Sequence, residues 1–274
     1  MSKTGIPFCD EVCNPIVGCS HAGSPGCDNC WSNYLHDKRH KARKLGKLVS
    51  TQYDSPFSTI QFFPERLHDV VVMKKPKLIF MCSGSDLFHP DVYDGHIGRV
   101  FGTMAEAHQH QFIIITKRPE RMESWSKAVM HYPKGNRSIK PVPGWPPNVI
   151  GMVTAENQET ADERIPWLLK TPFVRRGVSV EPMLGPVDMK MWMPTEWYHY
   201  IPRNPLPSLD WVICGSESGP RRRPCDPDWI RSLRDQCVDA DIPFFLKQMD
   251  IGGKLVKMPE LDGKVWDQVP EGRR

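Results

Sequence analysis

Three cysteines stand at C-x7-C-x2-C within GCSHAGSPGCDNCW, Gly18 to Trp31. The close spacing of Cys27 and Cys30 lets two thiolates bind one metal centre, and the Gly-, Ser- and Pro-containing loop between them and Cys19 can fold the third thiol back beside the pair. Two metal chemistries fit. A tetrahedral zinc site needs a fourth ligand, for which Cys9, Cys13 and His21 are the nearby candidates. A cubane iron–sulfur cluster on three thiolates keeps one coordination position open, which serves a substrate that must bind iron directly. A disulfide framework is a poor account, because nine cysteines is an odd number and the N-terminus MSKTGIPFCD has no secretory apolar segment. The remaining Cys9, Cys13, Cys82, Cys214, Cys225 and Cys237 read as small apolar residues.

Six further short stretches carry groups that could do chemistry: SGSD (Ser83 to Asp86), TKR (Thr116 to Arg118), TAEN (Thr154 to Asn157), VEP (Val180 to Pro182), GSESG (Gly215 to Gly219) and KQ (Lys247 to Gln248). Each follows an apolar run of strand length. Strands are expected near Asn14–Gly18, Lys77–Cys82, Gln111–Thr116, Val149–Val153, Val174–Val180, Trp211–Cys214 and Pro243–Leu246. Helices are expected over Cys27–Leu45, Pro64–Met73, Asp91–Ala107, Pro119–Met130, Ala161–Leu169 and Pro227–Val238, with Pro64 and Pro119 in first-turn positions. Alternating strands and helices imply a mostly parallel α/β sheet. Six to seven such units suggest a complete or partial (βα) barrel, with an open doubly wound sheet as the alternative. In either architecture ligands bind at the carboxyl ends of the strands. The cysteine motif follows the first expected strand and opens the first helix, so a metal there would share that edge with the polar strand ends.

The 274 residues are expected to form a single domain, 1–274, with a cysteine loop near 13–31, the barrel running to about 248 and a C-terminal extension over 249–274. The Pro-rich stretches Tyr132–Asn148 and Met193–Ser208 interrupt the pattern without resembling linkers. No apolar run reaches the roughly 20 residues of a bilayer span, which places the protein in the cytoplasm with no membrane partner. The net charge of +4 is mild, but basic residues crowd into Lys38–Lys47 and Arg221–Arg223, either as phosphate contacts or as a solvated face.

Much of the chain resembles a known family. CNPIVGC, SPGCDNCW, SDLFH, TKRPERM, TAENQETADERIP, SVEPMLGPVD, LDWVICGSESGPRRRP, PDWIRSLRDQC, PFFLKQ and DGKVWDQVP are similar to a phage-type three-cysteine family of radical-SAM-like character, long described as a phage gene product of unknown function. The spacing differs from the usual C-x3-C-x2-C of radical S-adenosylmethionine (radical SAM) enzymes, and CDEVC (Cys9 to Cys13) does not restore it. The usual Gly-Gly-Glu after the second strand has only Ser83 to Asp86 as a possible equivalent.

The resemblance implies a barrel of radical SAM type. It implies that Cys19, Cys27 and Cys30 hold a four-iron, four-sulfur cluster whose open iron binds S-adenosylmethionine, giving a 5′-deoxyadenosyl radical on reduction by an external electron donor. On this expectation Ser83, Gly84, Ser85 and Asp86 meet the methionyl amine, Lys117 or Arg118 its carboxylate, and Glu156 and Asn157 the ribose. Glu181 lies with the cofactor, while Glu217, Ser218, Arg222, Lys247 and Gln248 serve the substrate. The implied substrate is a nucleic acid or modified nucleotide, in the sharpest form an amino-acid-decorated pyrimidine of phage DNA rearranged by an isomerase in the infected host cell. A zinc-stabilised nucleic-acid-binding protein and a metal-dependent hydrolase or nuclease are the competing expectations.

Overall fold

The structure, a computed structural model, describes residues 2–130, 145–194 and 208–270; parts of both Pro-rich stretches lie outside these. In chain order the strands are β1 (Ser2–Lys3), β2 (Glu11–Cys13), β3 (Ile16–Val17), β4 (Gln61–Phe62), β5 (Leu78–Met81), β6 (Gln111–Thr116), β7 (Val149–Thr154), β8 (Arg175–Val180), β9 (Trp211–Gly215), β10 (Phe244–Ile251), β11 (Lys254–Lys257), β12 (Glu260–Leu261) and β13 (Lys264–Val265). The helices are α1 (Trp31–Lys44), α2 (Arg66–Val72), α3 (Asp94–Glu106), α4 (Pro119–Met130), α5 (Gln158–Leu169) and α6 (Pro227–Asp239).

One sheet takes nine strands in the order β1-β2-β5-β6-β7-β8-β9-β10-β11. From β2 to β10 every neighbouring pair is parallel, and the antiparallel β1 and β11 finish the edges. The parallel strands follow one another in chain order without reversal, which is the winding of a barrel and not of a doubly wound sheet. The sheet curls into a half-barrel.

Phe8 shows why it curls. Its ring lies 5.8 Å from Phe80 on β5, 6.1 Å from Trp211 on β9 and 6.0 Å from Phe245 on β10. A flat sheet would hold β5 four strand positions from β9, about 19 Å at the usual strand spacing. Contact with one ring is possible only if the sheet bends around it. The alternation along each strand then sorts two cores: Phe80, Ile113, Ile150, Met152, Ile213 and Phe245 gather with Phe8, while Met81, Ile114, Val153, Val178, Val212 and Leu246 join the larger core with the helices.

Local chemistry explains the sharpest element boundaries. Asn157 Oδ1 accepts from Thr160 N at 3.0 Å while Thr160 Oγ1 accepts from Asn157 N at 3.2 Å, a reciprocal cap that starts α5 three residues before the expected Ala161. Asp226 caps α6, with Pro227 following it in the first turn.

Several expected boundaries shift. The first sheet strand is Glu11–Cys13, not Asn14–Gly18; the apolar Ile16–Val17 pairs instead with Gln61–Phe62 in a separate hairpin. Cys27 ends a short 3-10 turn (Pro25–Cys27), Cys30 caps α1, and the α-helix proper opens at Trp31. Helix α2 starts at Arg66, two residues past Pro64. Strand β10 runs on to Ile251 and turns through Gly252 and Gly253 into β11, so the expected barrel end near 248 falls inside a strand.

Candidate functional site

Four carboxylates stand where the parallel strands β5, β7, β8 and β9 emerge, each with a cation of its own. Asp86, on the turn after β5, receives Arg118 Nη1 at 2.9 Å, Thr116 Oγ1 at 2.7 Å and the backbone N–H of Phe88 at 2.9 Å. Glu156, after β7, is completely buried and is bonded by Lys117 Nζ, Ser24 Oγ and, at 3.0 Å, Arg164 Nη1. Glu181, after β8, meets Lys247 Nζ at 2.9 Å. Glu217, after β9, accepts from Arg223 Nη2 at 2.5 Å, Nε at 3.0 Å and backbone N–H at 2.8 Å. Burial works against ionisation of Glu156, but Lys117 and Arg164 outweigh it and hold the carboxyl below the ordinary range. Glu217 is likewise held low, with the Arg223 hydrogen bonds overcoming its burial.

The cysteine loop is fastened to this arc along its length. Arg118 Nη2 donates to Ser20 O at 3.0 Å, and its Nη1 lies 3.8 Å from Cys19 Sγ. Ser20 Oγ sits 2.6 Å from His89 Nε2, and Ser24 reaches Glu156. Arg223 Nη2 donates to Pro25 O at 2.8 Å, and Asn29 Nδ2 to Glu217 Oε2 at 3.3 Å. Ser32 Oγ closes the series on Gly84 O at 2.5 Å. The contact is close enough to require a glycine: a Cβ on Gly26 would stand 2.5 Å from Glu156 Oε1 and 2.6 Å from Lys117 Nζ. Gly18, at φ +98°, makes the turn into the loop.

Residues 3–270 match a family described as a protein of unknown function, DUF5131. The chain belongs to the DUF5131 family. No curated protein and no solved structure matches it.

In this DUF5131 chain Cys19, Cys27 and Cys30 are all partly exposed free thiols on the one loop. Of the three, Cys19 is the one that Arg118 approaches. The Cys19 thiol is pushed up to about 11, by burial first and then by Asp86, against the opposing pull of Arg118. Among the described residues no three His, Cys, Asp or Glu side chains are gathered closely enough to hold a metal ion. The donor chemistry nevertheless suits a thiolate-bound cluster: three cysteines on a glycine-containing loop, with Arg118 against the first. Of the possible fourth ligands, Cys9 and Cys13 are buried, and His21 is 2.9 Å from Asp28. Burial also pushes the Cys13 thiol up to about 11.

The other expected site residues divide. Asp86, Lys117, Arg118, Glu156, Glu181, Glu217 and Lys247 stand in the arc. Ser218 and Gln248 are joined to each other, Gln248 Nε2 donating to Ser218 Oγ at 2.7 Å, beside Ser216. Lys247 and Gln248 lie within β10 and not after it, at a register shift between Leu246 and Gln248. Ser83 Oγ and Gly84 N both donate to Asn14 Oδ1 at 3.2 Å, and Ser85 Oγ donates to Ile16 O at 2.9 Å, so these three are tied to the segment from Asn14 to β3. Asn157 is occupied as the cap of α5. Arg222 leaves the arc for Asp250 and Gly253 O at the β10–β11 turn. Sequence reasoning gave no individual role to Ser24, Asn29, His89, Arg164 or Arg223. Ser24 and Asn29 carried a signal by sitting inside the cysteine motif, and Arg223 by belonging to the basic run Arg221–Arg223.

Proposed function

We propose that this chain is a radical SAM enzyme in which Cys19, Cys27 and Cys30 hold a four-iron, four-sulfur cluster. One observation carries the reading: the loop bearing the three thiols is bonded directly to the carboxylate–cation arc at the strand ends, so metal donors and ligand-binding groups share one edge of the half-barrel. When bound, the cluster would supply the electron that cleaves the sulfonium of S-adenosylmethionine, yielding a 5′-deoxyadenosyl radical able to take hydrogen from an unactivated carbon.

The chain's own residues do the rest by binding and orienting. S-adenosylmethionine carries an ammonium and a carboxylate on one carbon, and the arc offers carboxylates and cations in adjacent pairs. Asp86 and Arg118 can exchange each other for the two ends of that zwitterion at little net cost in charge, since each pair is already desolvated. Lys117 with Glu156 is fixed more deeply by Arg164 and serves to hold the loop. This pairing argues against a magnesium-dependent hydrolase, whose carboxylates must converge on an ion and not on arginines.

The substrate belongs to the same proposal: a nucleic-acid base or modified nucleotide, with an external electron donor as partner. A groove of about 410 Å³ beside Cys30 supports it, where Lys38, Lys41 and Arg221 outnumber Asp28 and Asp37 and Tyr34 offers a ring. A duplex base would have to be extruded to reach the arc.

Anaerobic reconstitution followed by iron and sulfide analysis tests the reading. Wild type and the Cys9→Ala and Cys13→Ala proteins should bind cluster, while Cys19→Ala, Cys27→Ala and Cys30→Ala should not. The reconstituted protein should bind S-adenosylmethionine about tenfold to a hundredfold more tightly than Asp86→Ala does. Iron loss in Cys9→Ala or Cys13→Ala equal to that in the loop variants, or no S-adenosylmethionine binding, would overturn it.

A further inference from the structure

A separate cavity of about 380 Å³ opens between α1, the Thr51–Tyr53 turn and the ends of β2, β3 and β5. That is the size of small-ligand sites. None of Asp86, Glu156, Glu181 and Glu217 lines it, nor do the three loop cysteines.

Its charge differs in kind from that of the arc. Two guanidiniums line it, Arg39 from α1 and Arg66 from the first turn of α2. They reach consecutive residues of one turn: Arg39 Nη1 donates to the Tyr53 hydroxyl, and Arg66 Nη2 to Gln52 Oε1 at 2.6 Å, with Arg66 Nη1 on Asn14 O at 2.7 Å. All of these partners are neutral. No Asp or Glu lines the cavity, and neither guanidinium has an ion-pair partner among the described residues. An arginine stays charged at any ordinary pH, so the recess holds two positive charges with no carboxylate among its lining residues.

Its walls are flat. Tyr53, Phe57 and the buried His36 form one ring cluster, with His36 5.0 Å from Tyr53 and 5.3 Å from Phe57. Trp31, 43% exposed, also lines the cavity. Two guanidiniums match a phosphomonoester, which carries close to two negative charges at neutral pH, in charge and in donor type. Aromatic walls match a planar ring.

We propose that this cavity binds a phosphomonoester carried on a flat heterocycle, a nucleoside monophosphate in size and chemistry. Arg39 and Arg66 take the phosphate, and the aromatic walls take the base. The site stands whether or not the cysteine loop holds a cluster, because it shares none of the loop's thiols.

Calorimetric titration of the full chain, without iron or S-adenosylmethionine, tests it with AMP, UMP, adenosine and inorganic phosphate. AMP or UMP should bind at least about tenfold more tightly than adenosine, since hydrogen bonds to charged groups are worth about that much or more. Inorganic phosphate should bind more weakly than either nucleotide. Arg39→Gln should weaken nucleotide binding about tenfold and leave adenosine unchanged. Arg66→Gln should do the same, with its thermal midpoint measured alongside because Arg66 also anchors Asn14 and Gln52. Arg39 is exposed on its helix, so Arg39→Gln is the variant that decides. Equal affinity for AMP and adenosine, phosphate binding as tightly as the nucleotides, an unchanged nucleotide affinity in Arg39→Gln, or no nucleotide binding at millimolar concentration would each overturn the proposal.

Discussion

Glu156→Gln is the perturbation that bears most directly on how the loop and the half-barrel are joined. The amide keeps the shape of the side chain and removes its charge. Three donors then lose their carboxylate: Lys117 Nζ, Ser24 Oγ and Arg164 Nη1. They do not lose equally. The Lys117 side chain is 20% exposed and can turn its ammonium toward water, whereas that of Arg164 is 2% exposed and keeps only Thr154 O, at 2.8 Å, and the more distant Glu163, at 3.6 Å. Breaking a buried pair from one side costs about 3–5 kcal/mol, and with one of the two cations able to escape we expect the lower end, about 3 kcal/mol. At about 2–4 °C per kcal/mol in a domain of this size, the unfolding midpoint should fall by about 6–12 °C. Lys117→Met leaves Glu156 its bond to Arg164 and should cost about 1–2 kcal/mol. The pH dependence has a definite sign. The folded carboxyl is held below its ordinary value of 4.5, so the stability it supplies is complete above pH 4.5 and is lost as pH falls through the lower folded value. The gap between wild type and Glu156→Gln should therefore close in acid. Thermal and urea unfolding from pH 3 to 7 measure both effects. A Glu156→Gln protein within about 1 kcal/mol of wild type at pH 7, below the range for a broken buried pair, would refute the reasoning.

Two further outcomes follow from packing. Gly26→Ala sets a methyl group 2.5 Å from Glu156 Oε1, and because Glu156 is fully buried and held by Arg164 the loop should give way before the carboxylate does; limited proteolysis should then cut between Cys19 and Cys30 faster than in wild type, with a stability loss of about 1–3 kcal/mol. Phe8→Ala removes the ring shared by β5, β9 and β10 and should cost about 3–5 kcal/mol in urea unfolding, and a loss below 1 kcal/mol would mean that Phe8 does not hold the curl.

What could be read from the sequence follows from how local each signal is. QFIIIT is a β-branched run bounded by polar residues, and β6 occupies Gln111–Thr116 as expected; PERMESWSKAVM begins on its proline, and α4 occupies Pro119–Met130. The first strand misled because Ile16–Val17 is the more apolar pair, whereas the segment that joins the sheet, Glu11–Cys13, owes its place to pairing with β5. The short β11, β12 and β13 carry little apolar pattern and depend on their partners.

The sequence by itself determined the alternation of strands and helices, the polar character of the ends of β5 to β9 and the membership of three cysteines in one motif, because each depends on residues close along the chain. Tertiary structure decided which charge meets which. Arg222 and Arg223 are neighbours in RRR, yet Arg223 closes on Glu217 and the cysteine loop while Arg222 turns to Asp250. Asp86 and Ser83 share one turn, yet Asp86 faces Arg118 and Ser83 faces Asn14. Arg222 and Arg223 take opposite sides of one segment, Ser83 and Asp86 point apart across a turn, and the partner waiting for each is set by the strand order of the sheet that curls around Phe8. That curl is a contact between residues more than 200 positions apart, and no local pattern encodes it.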